Sequence, residues 1–410
     1  MLHLVTDALP ATSAGYTVRT QEIALAQRAA GLDPHVVTRI GFPVTAGHID
    51  GRTRVSVDGV PYHRLLPWVM PGRMDTIAAA GLGHAARLVA DLRPSVLHAA
   101  SNFSNALIAI ALREAYGIPY VYEVRGFWED TWLSRHATTA GPAPLNAAPL
   151  NLEGSDRYRR SRELETHCMA TADLVVTLGQ AMAEEITGRG VPADKVIVVP
   201  NGVSRDFLRP LPSGAELRAR LGIGAGEFAV GLVSSLVAHE GIGTLLEATA
   251  LLTEAGVPAR ALIVGDGPER ASLERRAAGL GLDAVFTGRV PMAEVRSYHA
   301  VLDAFVVPRT ADRVCQLVTP LKPVEAMASG LPVVVSATSA LTEIITDGER
   351  GLSFPPGDAG ALAHRLRRLH GDPGLRRSLG DSARAWVARD RTWDHNAARY
   401  RAGYARLGAV

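Results

Sequence analysis

The sequence predicts an α/β protein built from two doubly wound domains, each a mostly parallel sheet with helices on both faces, that face a central cleft. Three observations carry this expectation. Short Val-, Ile- and Leu-rich runs alternate with helical segments along nearly the whole chain. The alternation pauses at a Pro/Gly-rich segment, RPLPSGAELRARLGIGAGE (209–227), and then restarts. The 410 residues, 47% of them hydrophobic, allow two or three domains of about 150 residues, each with its own core.

The opening strand Leu2–Val5 precedes a turn-rich stretch, DALPATSAGY, and a helix expected from about Thr17 to Ala30 that stops at Gly31. A strand at His35–Val37 follows. VLHAA leads into a helix from about Asn105, and PYVYEV, LVVTL after Ala172 and KVIVVP complete the first set of strands. After the 209–227 segment, read as an interdomain linker, come FAVGLVSS, ALIVG, AVFTG, AFVVP, LPVVVS and GLSF, separated by helices. From about Pro373 to Leu407 the pattern is helical without strands. The expected domains are therefore 1–205 and 206–385, with a helical segment 386–410 free to cross back to the first. The stretch TAGPAPLNAAPLNLEG (139–154) reads as a mobile surface loop that could serve as a lid beside an active site.

Composition excludes several classes of function. Forty-three basic and 41 acidic residues leave a net charge of +2, with no basic half to hold nucleic acid or a membrane surface. The cluster RYRRSRELE (157–165) has interspersed glutamates and suits a solvated helix face. Cys168 and Cys315 are too few for a disulfide framework and lack metal spacing. The start, MLHLVTDALP, lacks the features of a signal peptide, so a cytoplasmic protein with at most peripheral membrane contact is expected. Only Lys195 and Lys322 are lysines among the 43 basic residues, which raises the question of what each does.

In doubly wound domains the ligand sits beyond the carboxyl ends of the strands, so the loops there matter most. The first holds Ser13, Ala14 and Gly15 ahead of Thr17 and Arg19; its N–H groups suit an anion, or simply cap a helix. The second holds His98 and Asn105, and a lone histidine there is open to a structural reading. The third, YEVRGFWEDTW, crowds Glu123, Arg125, Glu129 and Asp130 against aromatic rings, where charges must pair or bind a ligand. In the second half, VGDGP (Gly265, Gly267) is a weak glycine signal. The strongest segment runs from Pro308 to Ser336. There Thr319, Pro320 and Leu321 lead into a helix carrying Lys322 and Pro323, which offers a hydroxyl, N–H groups and an ammonium to a diphosphate. Glu325 on the same helix can accept two hydrogen bonds from a ribose diol. The competing reading is a capping-box helix starting at Thr319 with an ordinary exposed lysine.

Together SAGYTVRT with QRAAG, VYEVRGFWED, PADKVIVVPNGV, VGDGPER, VFTGRVP, VTPLKPVEAMASGLPVVVS and GLSFPPGD resemble the large group 1, family-four class of retaining glycosyltransferases, whose fold is GT-B, with two Rossmann-like domains. The resemblance covers nearly the whole length and is greatest to a subgroup found in exopolysaccharide gene clusters. It implies transfer of a glycosyl unit, with retention, from a nucleoside diphosphate sugar bound mainly by the C-terminal domain to a hydroxyl acceptor bound mainly by the N-terminal one. It further implies that Glu325 binds the ribose, that Gly288, Arg289 and Val290 contact the base, that Thr319 to Lys322 meet the phosphates, and that Gly15 lies under the diphosphate or the acceptor.

The chain departs from the family pattern at several positions. The Arg and Lys usual after the first C-terminal strand are Ser235 and Glu240, the first glutamate of E-x7-E is Leu317, the second histidine of H-x-H is Ala100, and a further histidine position is Arg125. Stabilising a departing diphosphate is worth several kcal/mol per donor, so the lost cations need replacement. Arg309 and Lys322 are the candidates, with Arg125 adding charge from the other domain on closure and Glu129 or Asp130 orienting the acceptor. The expected mechanism is front-side substitution in which the leaving diphosphate helps deprotonate the acceptor, with no cofactor and no metal, because the cations replace one and no D-x-D occurs. Two rivals stay open, a catalytically weak nucleotide-sugar-binding protein and a nucleotide-sugar epimerase. A nicotinamide dehydrogenase lacks its fingerprint.

Overall fold

In the computed structural model, which describes residues 1–139 and 152–409, the apolar runs become strands because β-branched side chains pack well on a pleated, buried surface. Most of the stretch read as a lid, from 140 to 151, lies outside the described residues. In chain order the elements are β1 (Leu2–Val5), α1 (Gly15–Ala29), β2 (His35–Thr38), β3 (Arg54–Val57), β4 (Val60–His63), α2 (Met74–Leu92), β5 (Leu97–Ala100), α3 (Phe103–Tyr116), β6 (Tyr120–Val124), α4 (Trp128–Thr139), α5 (Asp156–Thr171), β7 (Leu174–Thr177), α6 (Gln180–Gly188) and β8 (Val196–Val198). There follow α7 (Ala215–Arg220), β9 (Phe228–Val233), α8 (Ile242–Glu254), β10 (Ala259–Val264), α9 (Arg270–Gly279), β11 (Val285–Gly288), α10 (Val295–His299), β12 (Ala304–Val307), α11 (Arg313–Leu317) and α12 (Lys322–Ala328). The chain ends with β13 (Val333–Ser336), α13 (Ser339–Thr342), β14 (Leu352–Phe354), α14 (Ala359–Gly371), α15 (Pro373–Asp390) and α16 (Trp393–Ala405).

Two units form. The first comprises Met1–Pro200 and Trp393–Val410, the second Asn201–Thr392. The expected boundaries at 205 and 385 both fall inside the second unit. There Val203 bridges Thr392 and donates its N–H to the Arg391 carbonyl at 2.9 Å, so the start and end of that unit are tied together.

The first unit carries a sheet of order β3-β4-β2-β1-β5-β6-β7-β8. All pairs are parallel except β3 with β4, a hairpin the sequence reading did not anticipate. Its signal was present: Asp58 and Gly59 separate two alternating runs, and both take positive φ, 49° and 82°. The strand order reverses beside β1, which pairs β2 on one side and β5 on the other. The crevice expected of such a reversal lies at the carboxyl ends of β1 and β5. Helix α16 packs along α1 and buries Tyr400 and Tyr404, whose rings stack 6.1 Å apart.

The second unit has an all-parallel sheet of order β11-β10-β9-β12-β13-β14, reversing beside β9. Residues 209–227 do not form an interdomain linker. They contain α7 and belong to the second unit, because Leu217 and Ile223 are buried in its core and Arg218 reaches the Val301 carbonyl at 3.0 Å. Among the described residues no helix is long and apolar enough to cross a membrane.

Candidate functional site

In the second unit the loops after β9, β10 and β12 approach one another backbone to backbone. A Cβ on Gly265 would stand 1.8 Å from the Ser234 carbonyl oxygen, and one on Gly241, at φ +65°, would stand 2.0 Å from that of Pro308. Only glycine permits this closeness. Gly288, at the end of β11, joins the group by accepting the Gly265 N–H at 2.9 Å.

This packing gathers a charged cluster. Arg309 follows β12 and is 8% exposed; its guanidinium donates to Glu240 Oε1 at 2.7 Å and to the Val318 carbonyl at 2.9 Å. Lys322, the first residue of α12, donates from Nζ to Ser234 Oγ at 2.6 Å and lies 3.9 Å from Glu240 Oε1. Burial alone would raise the Glu240 carboxyl, but Arg309 and then Lys322 outweigh it and hold it well below its ordinary value. Desolvation lowers the pKa of Lys322, partly offset by Glu240. Two cations thus share one carboxylate. Arg309 Nε, Thr319 Oγ1, Ser336 Oγ and Thr338 Oγ1 are buried with no hydrogen-bond partner among the described residues, which is costly unless a ligand or water supplies one.

The remaining expected donor residues differ in exposure. Thr319 and Pro320 are buried, and the Thr319 carbonyl accepts from Asn201 Nδ2 at 2.8 Å. Glu325 is buried, Arg289 is exposed, and Val290 is half-buried against the core. One correction and one further contact follow. The helix does not start at Thr319: Leu321 is the N-cap, without a side-chain cap, because Pro320 precedes it and Thr319 turns inward. The hydroxyl that meets Lys322 belongs to Ser234, while Ser235 is exposed.

The first unit holds a second network, centred on Glu123, which is fully buried. Burial would raise this carboxyl, yet Arg125 and Arg19 hold it well below the usual range. Arg19 Nε donates to Oε1 at 2.7 Å, while Arg125 and His98 Nε2 donate to Oε2 at 3.2 and 2.8 Å. Burial keeps His98 neutral, so Nε2 carries the proton and Nδ1 accepts from the Tyr404 hydroxyl at 2.6 Å. Gln27 Nε2 in turn donates to Tyr404 at 3.0 Å, and its oxygen meets His3 Nε2 at 2.8 Å. Sequence reasoning missed Gln27, Tyr400 and Tyr404, although the two tyrosines stand four apart on an amphipathic C-terminal stretch.

Several expected acceptor residues therefore serve the interior of this unit. Arg19 is 2% exposed and also donates to the Val199 and Pro200 carbonyls. His98 is fully buried, and Asn105 donates to Thr6 Oγ1 and the Ala100 carbonyl. Glu129 is corrected as an acceptor-orienting group: its carboxylate is buried and paired with Arg189 at 2.6 Å, with that guanidinium over the Phe127 ring. Asp130 is likewise buried, accepting from Tyr158 at 2.8 Å. Gly15 is exposed at the start of α1, where the Ala14 N–H meets Thr17 Oγ1 at 2.9 Å. At the carboxyl ends of β1, β5 and β6 opens a cavity of about 550 Å³, with Tyr16, Ser101, Arg125, Trp128 and Trp132 in its wall.

Two family models match the chain, glycosyl transferases group 1 over residues 214–386 and a glycosyl transferase 4-like domain over 14–202. The chain is 30% identical to 2-deoxystreptamine glucosyltransferase of Streptomyces kanamyceticus, over 57% of this chain and 60% of that protein. It is 31% identical to the GDP-mannose-dependent α-(1-6)-phosphatidylinositol monomannoside mannosyltransferase of Mycolicibacterium smegmatis, over 56% and 61%. The matches thus span about three fifths of these relatives' lengths. In fold it is similar to sucrose-phosphate synthase from Thermosynechococcus elongatus (TM-score 0.76, 20% identity, 100% of this chain and 99% of that one) and to Anabaena HepE in complex with UDP-glucose (TM-score 0.73, 18%, 100% of both). The architecture is that of a GT-B protein, two Rossmann-like α/β domains. The chain belongs to the group 1, family-four glycosyltransferases.

Proposed function

We propose that the protein is a retaining glycosyltransferase that takes a sugar from a nucleoside diphosphate sugar, UDP-linked by family habit, and moves it to a hydroxyl of a saccharide, lipid-linked or natural-product acceptor. The second unit holds the donor and the first receives the acceptor. The observation that carries this reading is the cluster of Arg309, Lys322 and Ser234 around Glu240, with the unpaired Arg309 Nε and Thr319 Oγ1 beside it. It supplies fixed positive charge and donors where a leaving diphosphate gathers charge. HepE, a structure of the same fold, is in complex with UDP-glucose.

The anomeric C–O bond to the diphosphate breaks while the acceptor oxygen bonds to the same face, and the acceptor proton passes to the departing diphosphate oxygen. Arg309 and Lys322 stabilise that leaving group, Glu325 holds the ribose, and the backbone at Gly288, Arg289 and Val290 meets the base. No enzyme nucleophile and no metal take part. The reading of a weak nucleotide-sugar binder draws on Ser235, Glu240, Leu317 and Ala100; the Arg309 and Lys322 side chains beside Glu240 favour an enzyme over it. Incubating the purified chain with a panel of UDP-, GDP- and ADP-sugars and a mixed acceptor set, and following nucleoside diphosphate release, tests the proposal. Release with at least one donor, and a product of retained anomeric configuration, is expected. Binding without release from any donor contradicts it.

A further inference from the structure

The cavity of the first unit has a chemistry that bears on which acceptor it takes. Its wall includes three guanidinium side chains, Arg125, Arg135 and Arg157, against a single carboxylate, Asp7. That carboxylate is already engaged, accepting from Arg39 Nε at 3.2 Å and from the Tyr16 hydroxyl at 3.1 Å. Behind Arg125, Glu123 is shared with Arg19 while His98 is neutral, so the floor keeps an excess of one positive charge. The aromatic lining is arranged around the cations. The Arg157 guanidinium lies 5.1 Å from the Trp132 ring centroid, and Trp128 is 52% exposed. Trp132 Nε1 and Arg125 Nε each carry a hydrogen with no partner among the described residues. A ring face with a polar edge suits the C–H face of a pyranose, and a guanidinium held by an aromatic ring suits a planar or tetrahedral anion.

We propose that this cavity binds an acceptor bearing an anionic group, a carboxylate or a phosphate, next to a pyranose ring. The ring lies against the exposed Trp128 and the anion on Arg157, which Trp132, itself covered by the His136 ring at 4.7 Å, holds in place, with Arg125 supplying charge from the floor. A cationic amino sugar is rejected by the same guanidiniums, since like charge discriminates between partners of equal shape. The inference rests on the assignment of the acceptor to the first unit.

The test is calorimetric titration of the full chain, without donor, by methyl glucuronide, glucose 6-phosphate, methyl glucoside and glucosamine. The anionic sugars bind at least about tenfold more tightly than methyl glucoside, as charge-assisted bidentate bonds require, and glucosamine binds more weakly still. Whichever of the two anionic sugars binds more tightly identifies the anion as carboxylate or phosphate. Arg157→Ser reduces the anionic sugars to the level of methyl glucoside with an unchanged melting temperature, and Arg157→Lys restores part of the preference. Equal binding of all four sugars, binding of none, or a preference that survives Arg157→Ser overturns the inference. UDP titrated into the same samples reports on the donor site separately: UDP binding without an anionic preference removes this inference alone, and an anionic preference without UDP binding removes the donor assignment instead.

Discussion

Arg309 donates a 2.7 Å hydrogen bond to Glu240, and both side chains are buried in the second unit. The family pattern has lysine where Glu240 stands, so the carboxylate reverses a charge and Arg309 with Lys322 returns two. Removing one partner of a buried ion pair leaves the other uncompensated and costs about 3–5 kcal/mol. Glu240→Gln should destabilise the second unit by about that much, as measured by urea unfolding, because it leaves Arg309 and Lys322 facing each other. A loss below about 1 kcal/mol would show that the pair contributes little.

Lys322 also sets an expected pH dependence. Its pKa is lowered by desolvation from 10.5, so the ammonium proposed to stabilise the leaving group is lost as pH rises through a value below that of a free lysine. Turnover should therefore decline on the alkaline side earlier than an ordinary lysine would allow. Lys322→Arg should lower activity, since guanidinium and ammonium differ in shape, and should remove that alkaline decline, since guanidinium does not titrate there. A profile of kcat against pH that is the same in both proteins would oppose this role.

Glu165 predicts a pH dependence of stability. Burial raises its carboxyl from 4.5 to about 7, with the Tyr122 hydroxyl and the Phe103 N–H, at 2.9 Å, opposing that rise. The folded state binds the extra proton, so this contribution is complete below 4.5 and is lost as pH rises through about 7. A shift of this size corresponds to about 3 kcal/mol between pH 4.5 and pH 8. Urea unfolding at the two pH values should show a difference of that order that Glu165→Gln abolishes. An identical pH slope in the variant would mean that Glu165 is ionised in the folded protein.

Tyr404 links Gln27 to His98 inside the first unit. Tyr404→Phe keeps the ring and deletes the hydroxyl, leaving His98 Nδ1 without its donor and Gln27 Nε2 without its acceptor. An unsatisfied buried group costs about 1–3 kcal/mol, and unfolding of the first unit should report a loss in that range with UDP affinity unchanged. A neutral substitution would indicate that water replaces the hydroxyl.

Much of the fold was legible in the sequence, because a parallel strand buried on both faces must be a short apolar run, and runs such as LVVT and VVVS have no other stable use. The hairpin at Asp58-Gly59 was legible in principle, through its turn residues, and was overlooked. The misread linker at 209–227 shows the opposite failure: proline and glycine suggested a loop, while Leu217 and Ile223 were the residues that decided its packing. In the sites, residue types were read more readily than partners. Glu123, Glu129 and Asp130 look equivalent in YEVRGFWED, yet tertiary contacts from Arg19, Arg189 and Tyr158, distant in sequence, decide what each meets. Ser234 and Ser235 likewise differ only in which way a strand end turns.

The central claim is that Lys322 acts on the leaving diphosphate rather than on donor affinity, and its most direct test is to measure kcat and the UDP-sugar Kd together for Lys322→Ala. Lys195 is the control: its Nζ donates to the Ala172 carbonyl at 3.1 Å and the Ala170 carbonyl at 3.5 Å, and Lys195→Arg should leave both quantities unchanged. Lys322→Ala should lower kcat by about 10²–10³, in the range of a lost transition-state donor, while Kd moves by less than about tenfold. A kcat equal to that of the unmodified protein, or a loss that appears wholly in Kd, would contradict the account.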